Sequence, residues 1–425
     1  MRILISTLGS RGDVQPFLAL AVGLQQVGHL VTLAAPYNFA DWIQSFGVQA
    51  HPIHFNPQDF MQRPDIQAAT KSRNVLRQLR LMREVLGPKM VEALEEFGRA
   101  AAETDFIVQT GTGLGGIEIA EARHIPMAFG FLQPFAPTRA FPSFFLPLRF
   151  SLGGWYNYLT HKLMFRAIWP NFGDPINRWR ARMDLPPWRS FQEMLNARQQ
   201  FGTPWLFGYS PNVLPKPDDW AAHHHVTGYW FLEAQSDWQP PNELIHFLES
   251  GPPPVYIGFG SMRDEDSERL TRLVLKALDL SGQRGILLTG WGGLAHGDQL
   301  DDLYFLDDVP HSWLFPRMSA VIHHGGAGTT AAVLRAGVPN IITPFALDQY
   351  AWAGRVVKLG VGPKMASFKK LTAEQLAQVI QKAVSDTALR NRAENIGEKV
   401  RAENGIAAAV EIIERHAADF KRQTC

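Results

Sequence analysis

Short apolar runs of strand length alternate with stretches of helical period, and the whole pattern occurs twice along the chain. In the first part, apolar runs at 3–8, 30–34 and 48–53 are separated by helical periodicity at 17–27 and 39–46. A longer helical stretch at 66–103 interrupts the series, which resumes with 105–110, a helix at 115–123 and a strand at 126–130. Strands alternating with helices predict a parallel sheet covered on both faces. Between 131 and 198 the alternation fails among prolines, aromatics and scattered arginines, which predicts mixed helix and loop. Strand character returns at 205–209. Pro240, Pro241 and the run Pro252, Pro253, Pro254 then place a linker near 230–252. Beyond it the alternation restarts at 255–259 and continues to 359, and 373–420 reads as helical with a break at Gly405. The expected architecture is two doubly wound α/β domains facing across a cleft, since open parallel sheets bind ligands beyond the carboxyl ends of their strands.

The 425 residues are enough for two such domains, and a hydrophobic share of 46% supplies their cores. A net charge of +1 gives no global field to steer the chain onto nucleic acid, so a nucleic-acid partner is not expected. The one cysteine, Cys425, excludes an internal disulfide framework and a CxxC metal or redox site, which points to a reducing, cytoplasmic setting. The opening segment RILISTLGSRGDVQP reads as a first strand and its turn rather than as a leader.

The most informative segment is AVIHHGGAGTTAAVLRAGVP, residues 320–339: a strand, a glycine-rich turn, and a helix expected to open at Thr329. Gly325, Gly326 and Gly328 allow the backbone close to an anion, and the free amides of the first helical turn would meet it with the positive end of the helix dipole. A tight turn alone requires less than three Gly, two His and two Thr in eight residues. The GK[ST] ending of a Walker loop is missing, so a diphosphate held by amides looks like the leaving group of a nucleotide sugar.

HHGGAGTTAAVLRAGVPNIITPFALDQYAWAGRV, together with GSRGDVQPFLALAVGL at 9–24, resembles the GT-B nucleotide-sugar glycosyltransferases of glycosyltransferase family 1, in the branch of the sterol glucosyltransferases and the transferases of antibiotic aglycones. The resemblance implies an acceptor-binding Rossmann-like domain over 1–234, a donor-binding one over 235–401, and a tail, 402–425, that packs back on the first. It implies no cofactor and no metal, the sugar nucleotide being a co-substrate. Carried over residue by residue, His323 matches a histidine near the donor phosphates, and Gly325, Gly326, Ala327, Gly328 and Thr329 match the diphosphate turn. Asp348 and Gln349 match the pair that holds sugar hydroxyls, a chemically suitable set of acceptors and donor for a polyol. Ser261 matches a serine facing the donor, and Val309 the segment whose backbone reads the base. Plant-type members carry tryptophan where this chain has Asp308 and a ribose-binding glutamate where it has Ala331, so the HHGGAGTT form favours the sterol and antibiotic branch.

Asp13, in the turn GSRGD after the first strand, is the expected general base that takes the proton of the acceptor hydroxyl, burial raising its pKa toward that task. Read without the resemblance, it is a helix-capping aspartate ahead of Pro16. Ser10, Arg11 and Gly12 are assigned to the donor phosphates. The aromatic stretch 129–159 is the candidate acceptor site, with Phe131, Phe135, Phe141, Phe144, Phe145 and Trp155 lining an apolar pocket, core packing being the plainer alternative. That stretch and the basic residues Lys71, Arg73, Arg77, Arg80 and Arg83 are the candidates for a peripheral contact with an anionic membrane surface, a solvated helix face being the default for the basic residues. Three motifs are set aside. Gly111, Gly113 and Gly116 form a GxGxxG without the acidic residue that would bind a ribose, and read as a cleft-lining turn. Asp264 and Asp266 read as a helix start, and His223, His224 and His225 as a loop rather than a metal site.

The sequence therefore predicts an inverting transferase moving glucose from UDP-glucose to a hydroxyl of an apolar acceptor, a sterol, carotenoid or other lipid. The alternatives are a TDP- or UDP-sugar transferase of polyketide or peptide aglycones, a sugar-nucleotide epimerase, and a catalytically silent lipid-binding relative.

Overall fold

The computed structural model describes residues 1–56, 75–146, 151–199, 201–235, 238–259, 267–288, 302–306, 309–345, 348–365 and 371–424. The first half runs β1 (Arg2–Ser6), α1 (Arg11–Gln26), β2 (Leu30–Pro36), α2 (Ala40–Ser45), β3 (Gln49–Ile53), α3 (Val75–Ala100), β4 (Phe106–Thr110), α4 (Gly116–Ala122), β5 (Met127–Phe131), α5 (Gly154–Ala181), α6 (Phe191–Gln199), β6 (Trp205–Phe207) and β7 (His224–Val226). Its strands form one parallel sheet in the order β3-β2-β1-β4-β5-β6-β7. β4 and β5 are buried at every position, as strands covered on both faces must be. In β1 the side chains alternate between two cores. Ile3 and Ile5 pack with Val14, Phe17 and Leu18 of α1, while Leu4 faces the layer containing α3 and α5.

The second half runs α7 (Asn242–Glu249), β8 (Val255–Gly258), α8 (Ser267–Ser281), β9 (Gly285–Leu288), β10 (Leu303–Leu306), α9 (His311–Leu314), β11 (Ala320–His323), α10 (Ala327–Ala336), β12 (Asn340–Ile342), α11 (Gln349–Leu359), α12 (Ala373–Ser385), α13 (Thr387–Arg401) and α14 (Gly405–Thr424). Its sheet is also parallel, in the order β10-β9-β8-β11-β12. Both sheets reverse direction of growth once, between β1 and β4 and between β8 and β11. Those switch points are where such sheets open a crevice, and they place the turns after β1 and after β11 at the site.

α14 returns to the first half, where Ala409, Val410, Ile413 and Ala417 share a core with α1. Gly23 makes the approach possible, because a Cβ there would collide with Ile406. The chain's two crossings also touch, since a Cβ on Gly405 would lie 2.5 Å from the carbonyl carbon of Gly228. The region 131–198 is helix and loop as expected, its main helix being the 28-residue α5 with Pro170 and Pro175 inside it. One expectation is corrected. His224 and His225 lie in the edge strand β7 rather than in a loop.

Candidate active site

β1 delivers the chain to a turn at Gly9, whose φ of +130° suits glycine, and Ser10 in extended backbone starts α1. Asp13 is the third residue of that helix. Its Oδ2 accepts hydrogen bonds from Ser10 N at 2.8 Å and Ser10 Oγ at 2.9 Å, and a Cβ at Gly9 would collide with the same carboxylate. Oδ1 takes no hydrogen bond among the described residues and is left for a ligand. Burial raises the Asp13 pKa above the ordinary carboxylate value, against the two Ser10 hydrogen bonds that lower it. Capping and an available carboxylate oxygen thus coexist in one residue. Thr7, which sequence reasoning passed over, donates Oγ1 to the Asp13 carbonyl at 3.3 Å. Ser10 bonds to Asp13, and the Arg11 guanidinium lies 5.1 Å from the Trp42 ring centre. Gly12 is exposed on the first turn of α1.

Across the cleft, β11 ends at His323, which is fully buried. Its Nδ1 accepts the Gly325 amide at 3.0 Å and its Nε2 pairs with Asn340 Oδ1 at 2.9 Å, an arrangement that assigns the proton to Nε2. Burial lowers its pKa to about 3, so the ring is neutral. Both ring nitrogens are thus taken, one of them by the turn itself at Gly325. Gly325 has a φ of +97°, and a Cβ there would lie 2.6 Å from Ile342 Cγ2. Gly326 is the N-cap, and α10 opens at Ala327, two residues before the expected Thr329. The first intrahelical bond of the turn is Thr330 N to Gly326 O. The amides of Ala327, Gly328 and Thr329 therefore remain for an anion, and Gly328 has open space where a side chain would be. His324 Nδ1 and Thr330 Oγ1 beside this turn are buried and have no hydrogen-bond partner among the described residues.

Asp348 caps α11, with Oδ2 accepting from Trp352 Nε1 at 3.1 Å and from Gln133 Nε2 of the first half at 3.4 Å. Burial raises its pKa to about 6, and the negative charge of Asp13 adds to the rise. The two carboxylates therefore sense each other across the cleft. Gln349 Oε1 accepts from Phe345 N at 2.8 Å and holds the loop leading into α11. Val309 is buried in the core with Phe315 and Met318. Ser261, Asp308, Asp264, Asp266, Lys71 and Arg73 lie outside the described residues, as do the side chains of Arg77, Arg80 and Arg83.

The acceptor candidates divide by depth. Phe131, Phe135 and Phe144 are buried, Phe131 and Phe135 stacking at 4.8 Å, and Phe141 and Phe145 are half-buried against the same cluster. Phe144 reaches the second half, edge-on to Trp352 at 5.3 Å, and so connects this cluster with the side chain that holds Asp348. Trp155 stands apart, 76% exposed on the outer face of α5. The expected aromatic site is thus a core with its rim at the cleft, and Trp155 is not brought to it. In the GxGxxG turn, a Cβ at Gly113 would collide with the Ser6 carbonyl, which accounts for that glycine by packing. No group of three or more metal-ligating side chains occurs among the described residues.

Two parallel doubly wound halves, with a carboxylate at the switch point of one and an amide-lined helix start at that of the other, define a GT-B glycosyltransferase. Residues 3–142 match the glycosyltransferase family 28 N-terminal domain, and 298–415 the erythromycin biosynthesis protein CIII-like C-terminal domain. The solved glycotransferase of kitacinnamycin superposes with a TM-score of 0.71 over 98% of each chain at 19% identity, a likeness of fold. A sterol 3-beta-glucosyltransferase of Cryptococcus neoformans is 36% identical over 98% of this chain, which spans 27% of that relative. A sterol 3-beta-glucosyltransferase of Arabidopsis thaliana is 35% identical over 98% of this chain and 68% of its own. The chain belongs to the glycosyltransferase family of these sterol 3-beta-glucosyltransferases.

Proposed function

We propose that the chain transfers glucose from UDP-glucose, with inversion, to the 3β-hydroxyl of a sterol. The observation that carries the reading is the convergence of Asp13, the amide end of α10 and Asp348 on one cleft, in a chain whose sterol-glucosylating relatives match over nearly its whole length. Asp13 Oδ1 takes the hydroxyl proton as the acceptor oxygen bonds to C1 of glucose. The bond from C1 to the diphosphate oxygen breaks on the opposite side, and UDP departs with the electron pair. The amides of Ala327, Gly328 and Thr329 stabilise the charge that develops on the leaving diphosphate. In this reading that charge is met by the helix end rather than by a resident metal or cofactor. Asp348 and Gln349 hold the sugar hydroxyls, Val309 and Ser261 stand on the donor side, and the rim of Phe141, Phe144 and Phe145 receives the apolar acceptor. The neutral Asn side chain cannot take up the proton, so Asp13→Asn should bind UDP with unchanged affinity and form sterol glucoside about a hundredfold to ten-thousandfold more slowly. Undiminished turnover by that variant would remove the base from the scheme.

A further inference from the structure

α5 is amphipathic in a way the enzyme's chemistry does not use. Its inner face, through Asn157, Thr160, His161, Met164 and Phe165, is buried. Its outer face presents Trp155 at 76% exposure, Tyr158 at 38% and Leu163 at 49%, with Leu152 at 71% just ahead of the helix. The apolar residues recur at helical spacing on one side, so they form a stripe rather than scattered exposures. Lys162 lies 5.2 Å from the Tyr158 ring centre and donates to Gln192 Oε1 at 2.8 Å, and the exposed Arg166 continues the stripe; neither cation makes an ion pair among the described residues. Between Glu121 and Asp174 the sequence contains no acidic residue, while it contains Arg123, Arg139, Arg149, Lys162 and Arg166. Two acids on neighbouring segments have partners: Asp219 accepts from Thr138 Oγ1 at 2.6 Å and the Arg139 amide at 2.7 Å, and Glu193 of α6 accepts from the Arg189 amide at 2.7 Å.

We propose that this outer face of α5 is a docking surface for an anionic lipid bilayer. Exposed Trp and Tyr with flanking cations are the side chains that settle at the boundary between headgroups and acyl chains. The inner face of the same helix holds the acceptor segment in place. Asn157 Nδ2 donates to the Arg139 carbonyl at 2.9 Å, Thr160 Oγ1 accepts from the Ser143 amide at 2.8 Å, and His161 Nε2 meets the Phe141 carbonyl at 3.2 Å. Phe141 contacts Phe144 at 5.5 Å, and Phe144 contacts Trp352 beside Asp348. A bilayer seated on α5 therefore lies one helix thickness from the aromatic rim of the cleft, and a lipid acceptor has a short apolar route into it. Only this last step rests on the sterol reading; the surface itself stands on exposure and charge.

The test is co-sedimentation of the full chain with phosphatidylcholine vesicles, with and without one-third phosphatidylserine, at low and high salt. The expected result is binding to the anionic vesicles that weakens with salt, reduced at least tenfold in the double variant Leu152→Glu/Leu163→Glu and again in Trp155→Ser. Transfer to a sterol dispersed in detergent should be unchanged in the double variant, and its melting temperature should match the parent. Equal vesicle binding by parent and variants overturns the proposal, and so does absence of binding by the parent. A dimer in light scattering that the double variant dissociates, without vesicle binding, overturns it in favour of a second copy of the chain. Vesicle binding with no sterol glucoside formed would leave the surface standing and remove the sterol reading.

Discussion

Replacing Asp348 by Asn should stabilise the fold above pH 6 while abolishing sugar transfer. The carboxylate is capped by Trp352 and Gln133, yet burial and the charge of Asp13 hold its pKa at about 6 against an ordinary 3.8. A tenfold change in proton affinity corresponds to about 1.4 kcal/mol, so ionising this group costs the folded state about 2 to 3 kcal/mol, allowing for its partial exposure. The sign follows from linkage. Between the unfolded and folded pKa values the native chain holds a proton that the unfolded chain has lost, so stability falls as pH rises through that window and stays lower beyond it. An amide keeps an acceptor for Trp352 Nε1 and carries no charge to desolvate. The variant should therefore melt about 5 °C above the parent at pH 8, with the advantage vanishing near pH 4. Thermal melts at the two pH values, with a transfer assay at pH 8, make the test. A pH-independent difference, or a variant less stable at both values, would refute the assignment of the buried charge.

Asp13→Asn should lower turnover by about two to four orders of magnitude, the usual contribution of a positioned base, with UDP affinity unchanged in calorimetry. Gly326→Val places a Cβ about where the His324 ring now sits, 2.7 Å from Nε2, and should weaken UDP binding at least tenfold while sparing the melting temperature of the first half. Asn340→Ala leaves His323 Nε2 buried without its partner and should cost about 1 to 3 kcal/mol in urea unfolding. A loss confined to donor affinity would instead mean that His323 touches the ligand directly.

The doubly wound halves were legible because buried parallel strands leave apolar runs, and the diphosphate turn because Gly325 adopts a positive φ and a side chain at Gly326 would meet the His324 ring. Helix and loop over 131–198 were legible, but the extent of α5 across its two prolines was not, nor was the separation of Trp155 from the acceptor aromatics. The supporting contacts were hidden for another reason. Asn340, Gln133 and Gly9 act on His323, Asp348 and Asp13 across the fold or across a turn, and such partners have no local signature. Trp352 did have one, standing one helical turn after Asp348, where i and i+4 side chains meet. His323 stands at the end of β11 beside the turn, and its two nitrogens are bound to Gly325 and Asn340, contacts that the motif alone does not reveal.

The account turns on inverting glucosyl transfer to a sterol, and one measurement addresses that directly: incubation of the chain with UDP-glucose and a 3β-hydroxysterol, with the product's anomeric coupling read by NMR. The α-linked donor should give a β-glucoside at the 3-hydroxyl, at a rate about two to four orders of magnitude lower in Asp13→Asn. An α-glucoside, or transfer seen only from TDP-sugars to polyketide acceptors, would contradict it.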